Sequence, residues 1–206
     1  YTKHVFLLPG GGCMHLVDSI GKEEKLDYVS CLHEQGAVIA ADAYAQYKRD
    51  LGVALVTTGP GGTNAVTGVA GAWVESVPLL VLSGQVKTAD MKPSREMRML
   101  GFQEVDIVSI VSSITKYAVT VRDPETIRYH LEKAVCLALS GRPGPVWIDV
   151  PLDVQAAEID PASQRGLSDQ ERRAIGEIDQ AQVPGAVQAT INLLWKAQRP
   201  VIIAGC

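Results

Sequence analysis

The sequence lacks a long hydrophobic run and an excess of positive charge. Its longest apolar stretch, residues 77–82, is far shorter than the roughly 20 residues that a membrane-spanning helix needs. Nineteen Lys and Arg against 23 Asp and Glu leave a net charge of -4, which provides no basic surface for a nucleic-acid backbone. We therefore expect no membrane and no nucleic acid among its partners.

The cysteines form no C-x-x-C pair and no cysteine–histidine spacing typical of a metal site; they are Cys13, Cys31, Cys136 and Cys206. We expect no metal site in this chain and interpret the cysteines as reduced thiols, which favours a cytoplasmic location, while the even count leaves disulfide pairing open. The chain begins with Tyr1 rather than Met, so we expect any targeting segment to precede it.

Signatures of several common enzyme classes are also missing. There is no G-x-S-x-G elbow, and no Gly-Lys-Ser/Thr follows either of the two glycine clusters. The G-x-G-x-x-G frame fails at His15 in the first cluster and at Asn64 in the second. The sequence therefore does not indicate a hydrolase of that type, a P-loop enzyme or a dinucleotide-binding enzyme.

What the sequence does contain is an alternation of short apolar runs with longer segments of helical character, which predicts an α/β fold. We expect a six-stranded, mainly parallel sheet with helices on both faces. The predicted strands are 5–8, 27–31, 52–57, 78–83, 115–121 and 145–150. The predicted helices are 14–20, 34–49, 64–75, 104–112 and 124–140.

The composition changes after Pro151, where residues 160–182 are polar and charged, as in a solvated linker. Beyond them, 184–198 has the apolar periodicity of an amphipathic helix and 200–204 that of a strand. We therefore predict a first domain over 1–158, a linker over 159–183, and the start of a second α/β domain over 184–206.

Several polar and glycine-rich segments follow predicted strands, at the sheet edge where ligands bind in parallel sheets. The two glycine clusters, 9–12 and 59–64, are explained equally well as tight turns. Glu34 opens a predicted helix, where the helix dipole alone also favours a glutamate. Glu104 is most simply a helix-start residue, and Gln103 could face either way.

Six motifs, taken together and in order, resemble those of acetolactate synthases, which depend on thiamine diphosphate. They are Leu8-Pro9-Gly10-Gly11, His33-Glu34-Gln35-Gly36-Ala37, Thr58-Gly59-Pro60-Gly61-Gly62-Thr63-Asn64, Ser83-Gly84-Gln85-Val86, Phe102-Gln103-Glu104 and Gly141-Arg142-Pro143-Gly144-Pro145-Val146. The resemblance covers about residues 5–155, and Arg199-Pro200-Val201 resembles the start of that family's middle domain.

The resemblance implies a role for particular residues. Glu34 matches the catalytic glutamate that hydrogen-bonds a ring nitrogen of the cofactor's pyrimidine. Four residues match other contacts on the pyrimidine side: Pro9, Pro60, Asn64 and Gln103. Three match positions on the substrate side: Gly11, Phe102 and Lys116. Two match flavin contacts in members that keep a structural FAD: Ser76 and Arg142. A solvated lysine at a strand end explains Lys116 equally well.

The resemblance also implies cofactors and partners that this chain does not hold alone. Mg²⁺ and the diphosphate would be held by the C-terminal domain of a partner subunit, and FAD mostly by a middle domain. The active site would then lie at the subunit interface of a homodimer or homotetramer. We expect the chain by itself to be inactive.

The expected function is that of a carboligase, which decarboxylates pyruvate or a related 2-oxo acid and transfers the acyl carbanion to a carbonyl acceptor. Two departures from the family pattern concern the acceptor. Leu152 replaces the usual lysine at the substrate entrance, and the segment 87–100 is longer and more charged than usual. They favour a keto sugar, as in surface-polysaccharide pathways, as a second possible acceptor. A 2-oxo-acid decarboxylase or oxidase on the same scaffold, and a non-catalytic binding module, are also compatible with the sequence.

Overall fold

The computed structural model of this chain describes residues 2–94, 96–176 and 183–203. Its strands are β1 (His4–Leu7), β2 (Asp27–Ser30), β3 (Gly52–Val56), β4 (Leu79–Gln85), β5 (Tyr117–Thr120) and β6 (Pro145–Pro151). Its α-helices are α1 (Met14–Lys22), α2 (Glu34–Lys48), α3 (Pro60–Glu75), α4 (Ile107–Val111), α5 (Ile127–Leu139), α6 (Leu152–Gln155), α7 (Asp169–Gly176) and α8 (Val183–Lys196).

The six strands form one sheet in the order β2-β1-β3-β4-β6-β5, and every neighbouring pair is parallel. This confirms the predicted α/β class, and the sheet is entirely parallel rather than mainly so. In a parallel sheet the chain must cross back after each strand, so all strand carboxyl ends lie at one edge and all amino ends at the other. The edge at which a residue lies therefore depends on whether it precedes or follows its strand.

Each face of the sheet has its own apolar core. On one face, α1 and α5 pack against side chains of β1, β3 and β6, with Val5, Leu55 and Ile148 among the buried residues. On the other face, α2, α3 and α4 cover a second cluster that includes the fully buried Trp147. Helices therefore cover both faces, as predicted, and burial on both sides explains why the central strands are apolar runs rather than alternating patterns.

Two predicted helix starts are wrong. The third helix begins at Pro60, not at residue 64, because Pro60 suits the first helical position and the second glycine cluster forms the first turn rather than a loop. The helix predicted from Glu104 begins at Ile107, where the Asp106 carboxylate accepts a hydrogen bond from the backbone of Ser109 as the cap.

The first half of the predicted linker packs on the domain. Arg128 of α5 donates to the backbone oxygens of Pro161 and Gln164. Glu132 of α5 accepts from the backbone of Leu167 and from Arg172 of α7. The hydrogen bond from Arg128 is the main reason why the pKa of Glu132 is lowered. This part of the predicted linker is therefore attached to α5, although most of its residues are exposed.

The predicted helix of the second domain is present as α8, with an exposed apolar face. Residues 200–203 form no strand, contrary to the prediction for 200–204, whose last residue lies outside the described part, as do 177–182 and Cys206. Over the described ranges, no helix combines the length and the apolar character that crossing a membrane requires.

Candidate active site

Most of the predicted site residues meet at the edge where the strands end. Pro9 and Gly11 follow β1, Glu34 begins α2 directly after β2, and Pro60 and Asn64 lie in the first turns of α3 after β3. Phe102 and Gln103 lie in the long loop after β4. The parallel topology thus brings together residues that are widely separated along the chain, at the edge that open α/β sheets use for ligands.

The Glu34 carboxyl group is held between two helices. Glu34 is 9% exposed, and the side-chain amide of Asn64 donates a hydrogen bond of 3.0 Å to its Oε2. The same amide nitrogen lies 3.4 Å from Nε2 of His33. A buried carboxyl needs hydrogen-bond partners to offset its desolvation, and Asn64 supplies one at Oε2. The second oxygen, Oε1, lies on the side of Gly61.

Gly61 makes room beside this carboxyl group. A Cβ at Gly61 would lie 2.6 Å from Cγ2 of Thr57 and 3.2 Å from Oε1 of Glu34. The hydroxyl of Thr57 also accepts a hydrogen bond of 3.1 Å from the backbone of Gly12, which ties the first glycine cluster to the end of β3. The backbone around Glu34 is therefore packed closely on one side, and glycine at position 61 is a steric requirement.

A cavity of about 510 Å³ lies at the same edge. Three predicted site residues line it together with Leu152, namely Gly11, Phe102 and Gln103. A Cβ on Gly11 would meet no atom within 4 Å, and Phe102 is 80% exposed, so both face open space. The charged residues of the lining are Lys87 and Asp90, one of each sign. The cavity has the size and mixed lining of a small-molecule site.

Gln103 has a strained backbone at the rim of this cavity. Its φ is 61°, in the left-handed region that non-glycine residues rarely adopt, and such a residue costs about 1–3 kcal/mol. Gly59, with φ 60°, packs directly against it: a Cβ at Gly59 would lie 2.0 Å from the backbone oxygen of Gln103. The two turns fix each other's conformation, and strain of this kind is concentrated at ligand sites.

Glu104 anchors the loop and is not a helix-start residue. It is buried, and its two carboxylate oxygens accept hydrogen bonds from the backbone of Lys92 (2.8 Å) and Leu100 (2.9 Å). The same loop is attached at its beginning, where the backbone and hydroxyl of Thr88 both donate to Asp153. The long segment 87–100 is thus held down at both ends, next to the cavity.

Sequence reasoning missed a buried polar network beneath the cavity. The carboxylate of Asp149 on β6 accepts hydrogen bonds from Ser83 (2.6 Å), Gln85 (3.1 Å) and Thr120 (3.0 Å). Desolvation outweighs these bonds and raises the pKa of Asp149 to about 6. The available signal was the presence of polar residues, Ser83, Gln85 and Asp149, inside strands that are otherwise apolar.

Three predicted residues lie at the opposite edge, where the strands begin. Nε of Arg142 donates a hydrogen bond of 2.6 Å to the hydroxyl of Ser76, so the two predicted flavin contacts do meet. Lys116 lies beside them and donates to the backbone oxygens of Ser140 (2.6 Å) and Arg142 (2.9 Å). Arg142 and Lys116 line a second cavity of about 480 Å³ with Trp73.

Lys116 is separated from Gly11 and Phe102 within one subunit. Lys116 precedes β5, and in a parallel sheet the start of a strand lies at the edge opposite its end. Within one subunit, Lys116 therefore does not share a cavity with the other two predicted substrate contacts. Its ammonium group instead donates hydrogen bonds to two backbone oxygens in the turn that precedes β6.

The family model for the N-terminal TPP binding domain of thiamine pyrophosphate enzymes matches residues 1–110. The chain belongs to this family. The matched range contains β1 to β4, Glu34 and the cavity residues up to Gln103. Thiamine pyrophosphate, also called thiamine diphosphate, is accordingly the ligand of this domain family.

The thiamine pyrophosphate-binding domain is also similar to curated acetolactate synthases. It is 38% identical to the acetolactate synthase of Arthrospira platensis, covering 99% of this chain and 34% of that protein. It is 38% identical to the large subunit from Lactococcus lactis (98% and 33%) and 37% identical to that of isozyme 3 from Escherichia coli (99% and 34%). The chain therefore spans about a third of the length of these relatives.

The described residues of the thiamine pyrophosphate-binding domain fit a nitrogen heterocycle. A buried carboxyl group such as that of Glu34 can accept or donate a hydrogen bond according to its protonation, as a ring nitrogen requires. The amide of Asn64 holds one oxygen, and Gly61 leaves no side chain in front of the other. Within the described ranges, no three His, Cys, Asp or Glu side chains converge as a metal site would require.

Proposed function

We propose that this chain is the domain that holds the aminopyrimidine of thiamine diphosphate in a carboligase similar to acetolactate synthase. The enzyme would decarboxylate pyruvate or a related 2-oxo acid and transfer the acyl unit to a carbonyl acceptor. The observation that carries this proposal is the buried Glu34 carboxyl group, held by Asn64 at the strand carboxyl edge next to a cavity of about 510 Å³. The similarity to acetolactate synthases supports it.

When bound, the cofactor would supply a nucleophilic carbon for addition to a 2-oxo acid and an electron sink for its decarboxylation. The protein's contribution is to hold and transfer protons and to orient the ring. In this proposal the carboxyl group of Glu34 would hydrogen-bond the ring nitrogen and would give and take back a proton. Proton transfer by a positioned side chain is worth roughly 10²- to 10⁴-fold in rate.

The other pyrimidine contacts proposed here lie at the same edge of the sheet as Glu34, where Asn64 contacts it directly and Pro9 and Gln103 line separate cavities. Pro60 and Asn64 lie on the first turns of α3, Pro9 follows β1, and the strained Gln103 approaches from the loop after β4. Prolines and a locked turn lose little conformational freedom when a ligand binds, which favours precise placement of the ring. On the substrate side, Gly11 and Phe102 line the open cavity.

The lining of the cavity favours an uncharged acceptor as a second candidate. Leu152 contributes an apolar side chain, and Lys87 and Asp90 contribute one charge of each sign, so the lining carries no net positive charge. A carboxylate acceptor would gain little from such a wall, whereas a polyhydroxylated carbonyl compound such as a keto sugar can hydrogen-bond to both charged groups. Product analysis separates these two acceptors.

The remaining components of the enzyme belong to the proposal as well. Because the curated relatives are about three times as long as this chain, we place Mg²⁺ and the diphosphate on a further domain of a partner subunit. A structural FAD would contact the Ser76–Arg142 pair. The partner in a homodimer or homotetramer would cover the exposed apolar side chains near Glu34, among them Leu32 (99% exposed). The chain alone would then be inactive.

The test of the catalytic role uses the full-length protein with thiamine diphosphate and Mg²⁺. Glu34→Gln keeps the size of the side chain but cannot transfer a proton, so turnover of pyruvate is expected to fall at least roughly 10²-fold. Glu75→Gln, at the far end of α3, is the matched control and should keep normal turnover. Normal turnover by Glu34→Gln would contradict the assignment.

Identification of the products by mass spectrometry tests the reaction class. Acetolactate from pyruvate alone would support the synthase, and a branched product that forms only with a keto sugar would support the second candidate. Free aldehyde or acid in the absence of any coupled product would indicate a decarboxylase or an oxidase. No consumption of any 2-oxo acid would indicate a non-catalytic binding module.

A further inference from the structure

The side chain of Gln85 at the end of β4 uses all of its hydrogen-bonding capacity. Its Oε1 accepts from the hydroxyl of Thr58 (3.0 Å) and from the backbone of Val86 (3.0 Å). Its Nε2 donates to the backbone oxygen of Val105 (3.0 Å) and to Asp149 (3.1 Å). An amide offers two lone pairs and two N–H groups, so every position is filled. Gln85 is 2% exposed and also lines the cavity.

Two of these partners belong to the loops that carry the proposed cofactor contacts. Thr58 directly precedes Gly59 and Pro60, and Val105 follows Gln103 by two residues. Gln85 is therefore a bridge between the turn at the start of α3 and the loop after β4. The same two segments touch through Gly59 and Gln103, both of which have positive φ.

Asp149 fixes which way the amide of Gln85 points. As a carboxylate, Asp149 offers acceptors only, so the Gln85 group that faces it must be the N–H₂ end. The carbonyl end then points to the hydroxyl of Thr58 and the backbone N–H of Val86, and both groups donate a hydrogen bond to it. A flipped amide would place an N–H group against the backbone N–H of Val86 and its carbonyl oxygen against two acceptors, Asp149 and the backbone oxygen of Val105. Ser83 and Thr120 hold the carboxylate from its other sides.

We propose that Gln85, oriented by Asp149, is a positioning residue that holds the two cavity loops, residues 57–60 and 102–105, in the geometry that binds the pyrimidine. The strain at Gln103 requires surrounding contacts that prevent its relaxation, and the bridge is one such contact. The structural part of this inference stands on the geometry alone. Its catalytic consequence rests on the proposed function.

Amide hydrogen exchange in the full-length protein tests the structural part. Gln85→Met keeps the length and removes all four hydrogen bonds, so we expect exchange at least about 10-fold faster in both 57–62 and 101–106. Thr115→Val is the matched control, since it removes a buried threonine hydrogen bond, to the backbone oxygen of Val111, without touching Asp149 or either loop. Unchanged exchange in both segments of Gln85→Met, or equal acceleration in the control, would overturn the proposal.

Thr58→Val provides a second test that does not depend on Gln85→Met folding. It removes one link of the bridge at nearly constant volume. Faster exchange confined to 57–62 is expected, and no change would contradict the bridge.

Kinetics separate a positioning role from a general loss of stability. Gln85→Met is expected to raise the thiamine diphosphate concentration needed for half-maximal activity at least about 10-fold, whereas Thr115→Val should leave it unchanged even if it unfolds at a lower temperature. Equal cofactor dependence in the two variants would refute the positioning role. If the wild-type protein turns over no 2-oxo acid, the proposed function fails, and the exchange experiment still decides the role of Gln85.

Discussion

The side-chain amide of Asn64 donates a hydrogen bond of 3.0 Å to Oε2 of Glu34, and so joins the first turn of α2 to the second turn of α3. Asn64 is an N–H donor to one carboxylate oxygen and leaves the second oxygen on the side of Gly61. The pair is thus a geometric unit, in which the position of the proposed proton-transfer atom depends on a residue of a different helix.

Asn64→Asp tests this unit. The substitution places a second carboxyl group within hydrogen-bond distance of Glu34, where the two can coexist only by sharing a proton. We expect kcat/KM for pyruvate to fall at least roughly 10²-fold at neutral pH, which is the scale of one proton-transfer contribution. Thr67→Ala, on the exposed side of α3, is the control for a change in the same helix. Steady-state kinetics that do not distinguish the two variants would refute the coupling.

Gly59→Ala should destabilise the domain strongly. The new Cβ would have to fit a φ of 60° and would lie 2.0 Å from the backbone oxygen of Gln103. We expect a loss of about 2–4 kcal/mol in the free energy of unfolding, measured by chemical denaturation. Gly21→Ala is the matched control, because a Cβ there meets nothing within 4 Å inside α1, and it should stabilise the domain by about 0.5–1 kcal/mol. Equal stability of the two variants would contradict the strain argument.

Asp149 should make stability depend on pH. Its pKa in the folded state, about 6, lies above the ordinary value of 3.8, so the folded protein holds this proton more tightly than the unfolded chain does. The stabilisation is complete below about pH 4 and is lost as the pH rises through about 6; it amounts to up to roughly 3 kcal/mol.

Denaturation curves of the wild type and of Asp149→Asn between about pH 4 and pH 8 check this expectation. The difference in unfolding free energy between the two proteins should change as the pH rises through the window from 3.8 to about 6 and stay level above it. Other carboxyl groups, such as Glu132, titrate in both proteins and cancel in the comparison. A difference that is constant with pH would mean that Asp149 titrates normally.

The sheet could be predicted from the sequence because its central strands, such as β3 and β4, are largely apolar runs bounded by glycine, proline or charge. The residues at which α3 and α4 begin could not be predicted in this way. Five of the six residues in the cluster 59–64 are turn formers by composition. Pro60 also suits a helix start, and only packing against Gln103 shows that Gly59 is the residue with positive φ. The local sequence is compatible with either a turn or a helix start, and the tertiary contact with Gln103 determines which of the two forms.

The site could be predicted in part for the same reason. Glu34, Asn64 and Gln103 follow strands, and parallel topology brings strand ends together. Gln85 and Asp149 have functions that depend on partners from three different segments, which no local pattern contains. Lys116 lies at the opposite edge from Gly11 and Phe102 within one chain, because it precedes its strand whereas they follow theirs.

Helix α3 has Asn64 near its first turn and is followed directly by Ser76, so it reaches from one edge of the sheet to the other. At 1.5 Å per residue its 16 residues measure about 24 Å. A helix is stiff, so it keeps the residues along it at fixed separations. Asn64, which holds Glu34, and Ser76 are twelve residues apart, or about 18 Å, so groups held at Glu34 and at Ser76 by the same copy of the chain are separated by most of the length of the helix.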